Sequence, residues 1–219
     1  MIRFAAFDLD GTLLDSLPDL TDGVNYALER EGLARRTEEE VRSFIGSGVF
    51  VLLEKAAFPH TDPELLKRLK EGFDTYYGAH YCDRSRLYPG IPALLSRLRE
   101  QGTELAVFSN KPDEFVKKIV GELFPEGTFI GVMGNRKEYP KKPDPVQLKE
   151  LQKELGYSDE ECLYVGDSDV DILTGKNAGY RTVGVTWGYR PKALLLETGG
   201  EFLADTAEEL LELVETFSD

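Results

Sequence analysis

The chain has 219 residues, is 41% hydrophobic and carries a formal net charge of −14 at neutral pH. That length and composition suit one large domain, or a medium domain with an insertion, and exclude disorder as the default. The charge argues against a nucleic-acid-binding surface as the chain's main business, since that needs clustered Lys and Arg, so an anionic substrate must find a local positive site.

The N-terminus, Met1-Ile2-Arg3-Phe4, shows no signal-peptide pattern and runs directly into a predicted strand, Phe4 to Phe7, that ends in Asp8-Leu9-Asp10-Gly11-Thr12. No apolar stretch is long enough to cross a bilayer, so a cytoplasmic protein without a membrane partner is expected. Side chains alternate along an extended chain, so Asp8 and Asp10 can face one way, and Gly11 accepts a sharp turn. Two close carboxylates repel unless a divalent metal or a lysine joins them.

From residue 17 to 84 only helices are predicted. Pro18 opens the first, with Leu20, Val24, Ala27 and Leu28 on one face. Thr37 and Glu40 form a capping-box pattern for the second, which stops at Gly46-Ser47-Gly48. A third covers about Phe50 to Ala57, and Asp62-Pro63-Glu64 opens a longer fourth. After Tyr88-Pro89-Gly90 the pattern changes to strands alternating with helices. Strands are predicted at Glu104–Phe108, Phe129–Met133, Cys162–Val165 and Arg181–Thr186, with Thr206 and Glu209 capping a last helix. The cysteines, Cys82 and Cys162, have no C-x-x-C spacing and suggest neither a disulfide framework nor a zinc site. Such alternation implies an α/β, Rossmann-like parallel sheet with helices on both faces, binding ligands at the carboxyl ends of its strands. The domains expected are a core of residues 1–16 and 85–219 and an all-helical cap of 17–84.

The polar clusters follow those strands: Asp8 and Asp10, Ser109, and Asp167 to Asp171, with Lys142 in a loop able to reach the same edge. Singly, each has a plain reading as a cap, a turn or a solvated charge. Together they suit phosphoryl transfer. Asp8 is the candidate nucleophile, forming an aspartyl-phosphate, and Asp10 the candidate acid and base. A magnesium ion held by Asp8, the Asp10 backbone carbonyl and Asp167 would neutralise charge alongside Lys142, while Ser109 and Asn110 bind phosphoryl oxygens.

These residues resemble the haloacid dehalogenase-like hydrolases in four motifs: Asp8-Leu9-Asp10-Gly11-Thr12, Ser109-Asn110-Lys111, Lys142-Pro143-Asp144-Pro145, and Gly166-Asp167-Ser168 with Asp171. The resemblance covers essentially the whole chain and implies a magnesium-dependent hydrolase. It also implies an acid–base role for Asp10 and substrate contacts at Gly11 and Thr12. Asp171 and Ser168 then lie near the metal or orient Lys142. Having Asp10 and Thr12 fits the phosphatase branches, and the phosphoglycolate phosphatases come nearest through Arg42 to Ala56 and Leu87 to Gly90. Lys141 stands where many relatives have His and is given no role. Arg42, Gly46 and Gly48 are the cap residues expected to meet substrate. The substrate class is a small phosphorylated metabolite, best 2-phosphoglycolate; monomer and homodimer stay open.

Three alternatives compete. A phosphomutase would share the core motifs. A phospho-accepting signalling domain would place its acid pair and its phosphorylated Asp on different strands and would lack the helical insertion. An EF-hand is imitated by Asp167-Ser168-Asp169-Val170-Asp171 but fails at Ile172 and Ala178, where Gly and Glu are required. No G-x-x-x-x-G-K-[ST] loop supports a kinase.

Overall fold

The apolar run Phe4-Ala5-Ala6-Phe7 is buried on every residue because it forms the middle strand of a parallel sheet. The computed structural model describes residues 1–60 and 62–217. Strand β1 (Phe4–Phe7) lies between β4 (Glu104–Pro112) and β6 (Cys162–Gly166), with Phe7 level with both Val107 and Val165. The six-stranded order is β5 (Gly131–Asn135), β4, β1, β6, β7 (Arg181–Val185), β8 (Phe202–Ala204). From β1 the order runs outward in both directions, which makes the carboxyl ends of β1, β4 and β6 the crevice where ligands of open parallel sheets bind.

The covering helices are α5 (Ile91–Glu100), α6 (Asp113–Leu123), α7 (Val146–Leu155), α8 (Asp169–Ala178), the short α9 (Lys192–Glu197) and α10 (Ala207–Thr216). Phe4, Phe108, Met133, Leu148, Tyr164 and Tyr180 belong to one buried cluster between sheet and helices. The α/β expectation holds, with three differences, the first being that the strand expected at Phe129–Met133 runs from Gly131 to Asn135. Strand β8 and helix α9 were not predicted, being too short for a periodicity to register. Strand β4 continues to Pro112 instead of stopping at Phe108, its register with β5 shifting in between.

Chain packing divides the molecule into Met1–Leu14 with Leu87 onward, and Asp15–Arg86. Each crossing lies two residues from the expected boundary. The strands β2 (Leu14–Asp15) and β3 (Arg86–Leu87) pair where the chain leaves and re-enters the core. The second unit comprises α1 (Leu17–Arg30), α2 (Glu38–Phe44), α3 (Val49–Ala57) and α4 (Pro63–His80). Buried Asp19 closes it, accepting from the amides of Arg84 and Ser85 at 2.9 and 2.8 Å and from the Ser85 hydroxyl at 2.6 Å. Asn25 exchanges two hydrogen bonds with the Arg36 backbone, fixing the turn between α1 and α2. Among the described residues no helix is long and apolar enough to cross a membrane.

Candidate active site

Alternation along a strand does not place the first two acids. Strand β1 ends at Phe7, and Asp8 to Leu14 form a tight turn in which the Leu13 and Leu14 amides donate to the Leu9 carbonyl and Gly11 N–H to the Leu14 carbonyl. Gly11 adopts φ of 90°, and a Cβ there would run into the Asp167 carboxylate. A side chain at this position is both strained and blocked, so the glycine brings the turn against the third acid.

Asp8, Asp167 and Asp171 are buried, with carboxylate oxygens lying within 4.8 Å of one another. One ammonium stands among them: Lys142 Nζ is 2.8 Å from Asp8 Oδ1 and 2.7 Å from Asp171 Oδ1. Asp171 is fully committed. Its Oδ1 also accepts from the Tyr164 hydroxyl at 3.1 Å, and its Oδ2 accepts from the Ser168 amide and hydroxyl at 3.1 and 2.5 Å. Asp171 thus contacts Lys142 directly, and Ser168 holds Asp171 through a capping box at the start of α8.

Both Asp10 oxygens accept from Lys111 Nζ, at 2.9 and 3.1 Å. Ser109 is buried, its hydroxyl accepting from the Lys111 amide at 3.2 Å. Thr12 and Asn110, both expected among the substrate contacts, also bond within the site. Thr12 is fully buried with its hydroxyl 3.4 Å from Asp167 Oδ1, and Asn110 accepts from the Lys142 amide at 2.9 Å and donates to its carbonyl at 3.4 Å. Thr12 thus supports an acid, and Asn110 fixes the backbone that carries Lys142. Lys141 is exposed.

Three carboxylates against one ammonium leave the cluster short of positive charge. Burial pushes the Asp8 carboxyl up to about 7, opposed by Lys142 and reinforced by Asp171 and Asp10. Asp167 is driven well above the carboxylate range by burial, then by Asp171 and Asp8. Burial alone would lower Lys142, but Asp171 and Asp8 hold it well above its ordinary value. Asp8 Oδ1 is buried, with Lys142 Nζ 2.8 Å away. An all-oxygen donor set and an excess of negative charge together fit a hard divalent cation.

The family model described as haloacid dehalogenase-like hydrolase matches residues 5–185, and every cluster above lies within that span. The chain belongs to the haloacid dehalogenase-like hydrolases. Among the relatives of this hydrolase, the phosphoglycolate phosphatase of Vibrio parahaemolyticus is 36% identical, the alignment covering 97% of this chain and 96% of the relative. That of Haemophilus influenzae is equally similar, at 36% with 97% and 98% covered. A crystal structure described as a predicted phosphoglycolate phosphatase from Haemophilus somnus superposes with a TM-score of 0.90 at 33% identity, covering 97% of this chain and 98% of that one.

Sequence reasoning left three contributors to this hydrolase site without a role. Lys111 was part of a motif, and its place beside Ser109 at a strand end was the available signal. Tyr164 lies inside β6 and is indistinguishable from a core aromatic in sequence. The loop Trp187-Gly188-Tyr189 follows β7 with no acidic or nucleophilic residue to mark it. The cap candidates lie in the second unit. Arg42 is on α2, 3.6 Å from Glu39, while Gly46 and Gly48 have φ of 124° and 90° in the turn between α2 and α3.

Proposed function

We propose that this hydrolase is a magnesium-dependent phosphatase acting on a small phosphate monoester, with 2-phosphoglycolate the leading substrate and Asp8 the nucleophile. The observation that carries the reading is Asp8 itself: a buried carboxylate with an ammonium 2.8 Å away and the oxygens of two further acids within 4.8 Å. The carboxylate attacks phosphorus, an Asp8 O–P bond forms, the ester P–O bond breaks, and Asp10 gives its proton to the leaving alkoxide. Asp10 then takes a proton from a water that attacks the aspartyl-phosphate, which releases inorganic phosphate and restores Asp8. Because Lys111 engages both Asp10 oxygens, one of those contacts gives way when Asp10 carries a proton. Lys142 stabilises charge on the transferring group, and Ser109 and Asn110 border the same crevice. Asp8, Asp167 and the Asp10 carbonyl are the groups to hold magnesium, which when bound supplies the missing positive charge and polarises the phosphoryl oxygens.

The choice of 2-phosphoglycolate is supported by relatives named phosphoglycolate phosphatases that are 36% identical across 97% of the chain. Since the core residues address only the phosphoryl group, the proposal assigns leaving-group selection to the insertion, with Arg42, Gly46 and Gly48 as its candidates. The test is a panel of small phosphate monoesters read by free phosphate, run without any sugar bisphosphate, together with trapping of the phosphorylated enzyme. Label on Asp8 and preference for 2-phosphoglycolate are the expected results. Release only after a sugar bisphosphate is added would make the enzyme a phosphomutase instead.

A further inference from the structure

The loop after β7 belongs to none of the four motifs, yet it touches the first and last of them at three consecutive residues. Trp187 donates its indole N–H to the Thr12 carbonyl at 3.0 Å. Gly188 has no room for a Cβ, which would meet the Asp167 side chain and the Gly11 carbonyl. Tyr189, itself buried, donates its backbone N–H to Asp167 Oδ2 at 2.6 Å. Both ends of the loop are tied down. Thr186 bonds to the end of β8 through its amide, to the Ala204 carbonyl at 3.0 Å, and through its hydroxyl, to Asp205 Oδ1 at 2.6 Å. The Arg190 guanidinium lies 3.8 Å from Asp169 at the start of α8.

Asp167 is thereby handled asymmetrically: Oδ2 is committed to a short amide bond, while Oδ1 has the Thr12 hydroxyl at the longer 3.4 Å. We infer that Trp187-Gly188-Tyr189 is a positioning strap that presents Asp167 to a divalent cation through Oδ1 alone and holds the Asp8–Thr12 turn beside it. The inference rests on the proposed cation site at Asp8 and Asp167. Partners that orient a ligating carboxylate set both its geometry and its affinity. Magnesium demands near-octahedral single-oxygen ligands, whereas calcium accepts a carboxylate through both oxygens, so a strap on Oδ2 weights the site toward magnesium.

The experiment is calorimetric titration of the substrate-free protein with magnesium alone and with calcium alone, folding being checked by circular dichroism and Tm. Tyr189→Pro deletes the amide donor, and Tyr189→Ala removes the side chain but keeps that amide. Magnesium binding should weaken about 10- to 100-fold in Tyr189→Pro, as for other lost partners of metal ligands, with calcium affected less. Tyr189→Ala should stay near wild type. Gly188→Ala, which presses on Asp167 from the same side, should weaken magnesium in the same direction and decides the matter if Tyr189→Pro does not fold. Wild-type magnesium affinity and preference in folded Tyr189→Pro or in Gly188→Ala, or equal losses in Tyr189→Ala and Tyr189→Pro, would overturn the strap. A wild-type protein that binds neither ion would overturn the cation site beneath it, which is a different failure.

Discussion

The core and the insertion each contain a cation paired with carboxylates, positive-φ glycines and a capping box, but they set them at different depths. The Lys142 side chain is 2% exposed between Asp8 and Asp171, whereas Arg42 is 41% exposed and its partner Glu39 is 86% exposed. A buried charge that loses its partner costs several kcal/mol, while a surface pair is worth about 0–1 kcal/mol. Each core residue is therefore fixed by its neighbours, as when Asn110 holds the Lys142 backbone and Ser168 holds Asp171, which holds the Lys142 ammonium. The Arg42–Glu39 pair on α2 lies closer to solvent, at 3.6 Å between two side chains three residues apart. Chemistry that must not change is built on the first arrangement, and recognition that can vary between relatives is suited to the second.

The largest expected effect tests the buried side of this contrast. Asp8→Asn keeps the shape and removes the attacking oxygen, so turnover should fall by a factor on the order of 10⁴ or more. The same change removes one of three mutually repelling buried carboxylates, so Tm without metal should equal or exceed that of wild type. Activity near wild type would remove the covalent mechanism; a large drop in Tm would remove the argument about excess negative charge.

Metal removal comes next. Chelator should silence the enzyme, magnesium should restore it, and calcium should not. Saturating magnesium at about 100 times its Kd should add about 2.7 kcal/mol of stability, seen as a rise in Tm that Asp167→Asn shifts to higher magnesium concentrations. Full turnover in chelator, with no metal copurifying, would refute this.

Third, Lys142→Met should cost about 3–5 kcal/mol in metal-free protein by stranding Asp8 and Asp171, whereas Arg42→Ala should leave stability within about 1 kcal/mol of wild type. Equal losses in urea unfolding would break the comparison of depths. A smaller effect is expected from Gly48→Val and Arg42→Ala on catalysis. Each should lower kcat/KM for the best natural substrate about tenfold while sparing a generic aryl phosphate, in line with the free energy of a few specific contacts. Equal loss on both substrates would return Arg42 and Gly48 to a structural role, in which a β-branched residue at φ of 90° is simply strained.

The parallel sheet and its acids were legible in sequence because each motif closes its own strand, so adjacency along the chain becomes adjacency at the sheet edge. The caps were legible for a similar reason: Thr37 with Glu40, Asp62 with the Glu64 amide, and Thr206 with the Glu209 amide are all contacts within a few residues. What could not be read depends on contacts that are distant in sequence. Asp10 turns to Lys111, 101 residues away, and Tyr189 reaches Asp167 across 22 residues. Strand alternation is not what places Asp8 and Asp10, since β1 ends at Phe7 and a hydrogen-bonded turn built on the Leu9 carbonyl follows.

The smallest effect makes the sharpest comparison, because one motif occurs in both settings. Thr37 with Glu40 at the start of α2, and Ser168 with Asp171 at the start of α8, are both complete capping boxes in which the hydroxyl takes the amide of the third residue and the acid takes the cap's own amide. Local geometry alone would make Thr37→Ala and Ser168→Ala equivalent, at about 1 kcal/mol each. Their acids differ, however. Glu40 also turns to Arg36 at 3.3 Å, just before the helix, while Asp171 also accepts from Lys142 at 2.7 Å and from Tyr164 at 3.1 Å. Losing the Ser168 hydroxyl loosens the carboxylate that aims Lys142, so Ser168→Ala should lower kcat as well as Tm. Thr37→Ala should lower Tm by a few degrees and leave kcat on an aryl phosphate unchanged. Paired urea unfolding and steady-state kinetics on the two variants measure the difference, and matching kcat values would mean that the position of Lys142 does not depend on the cap beneath it.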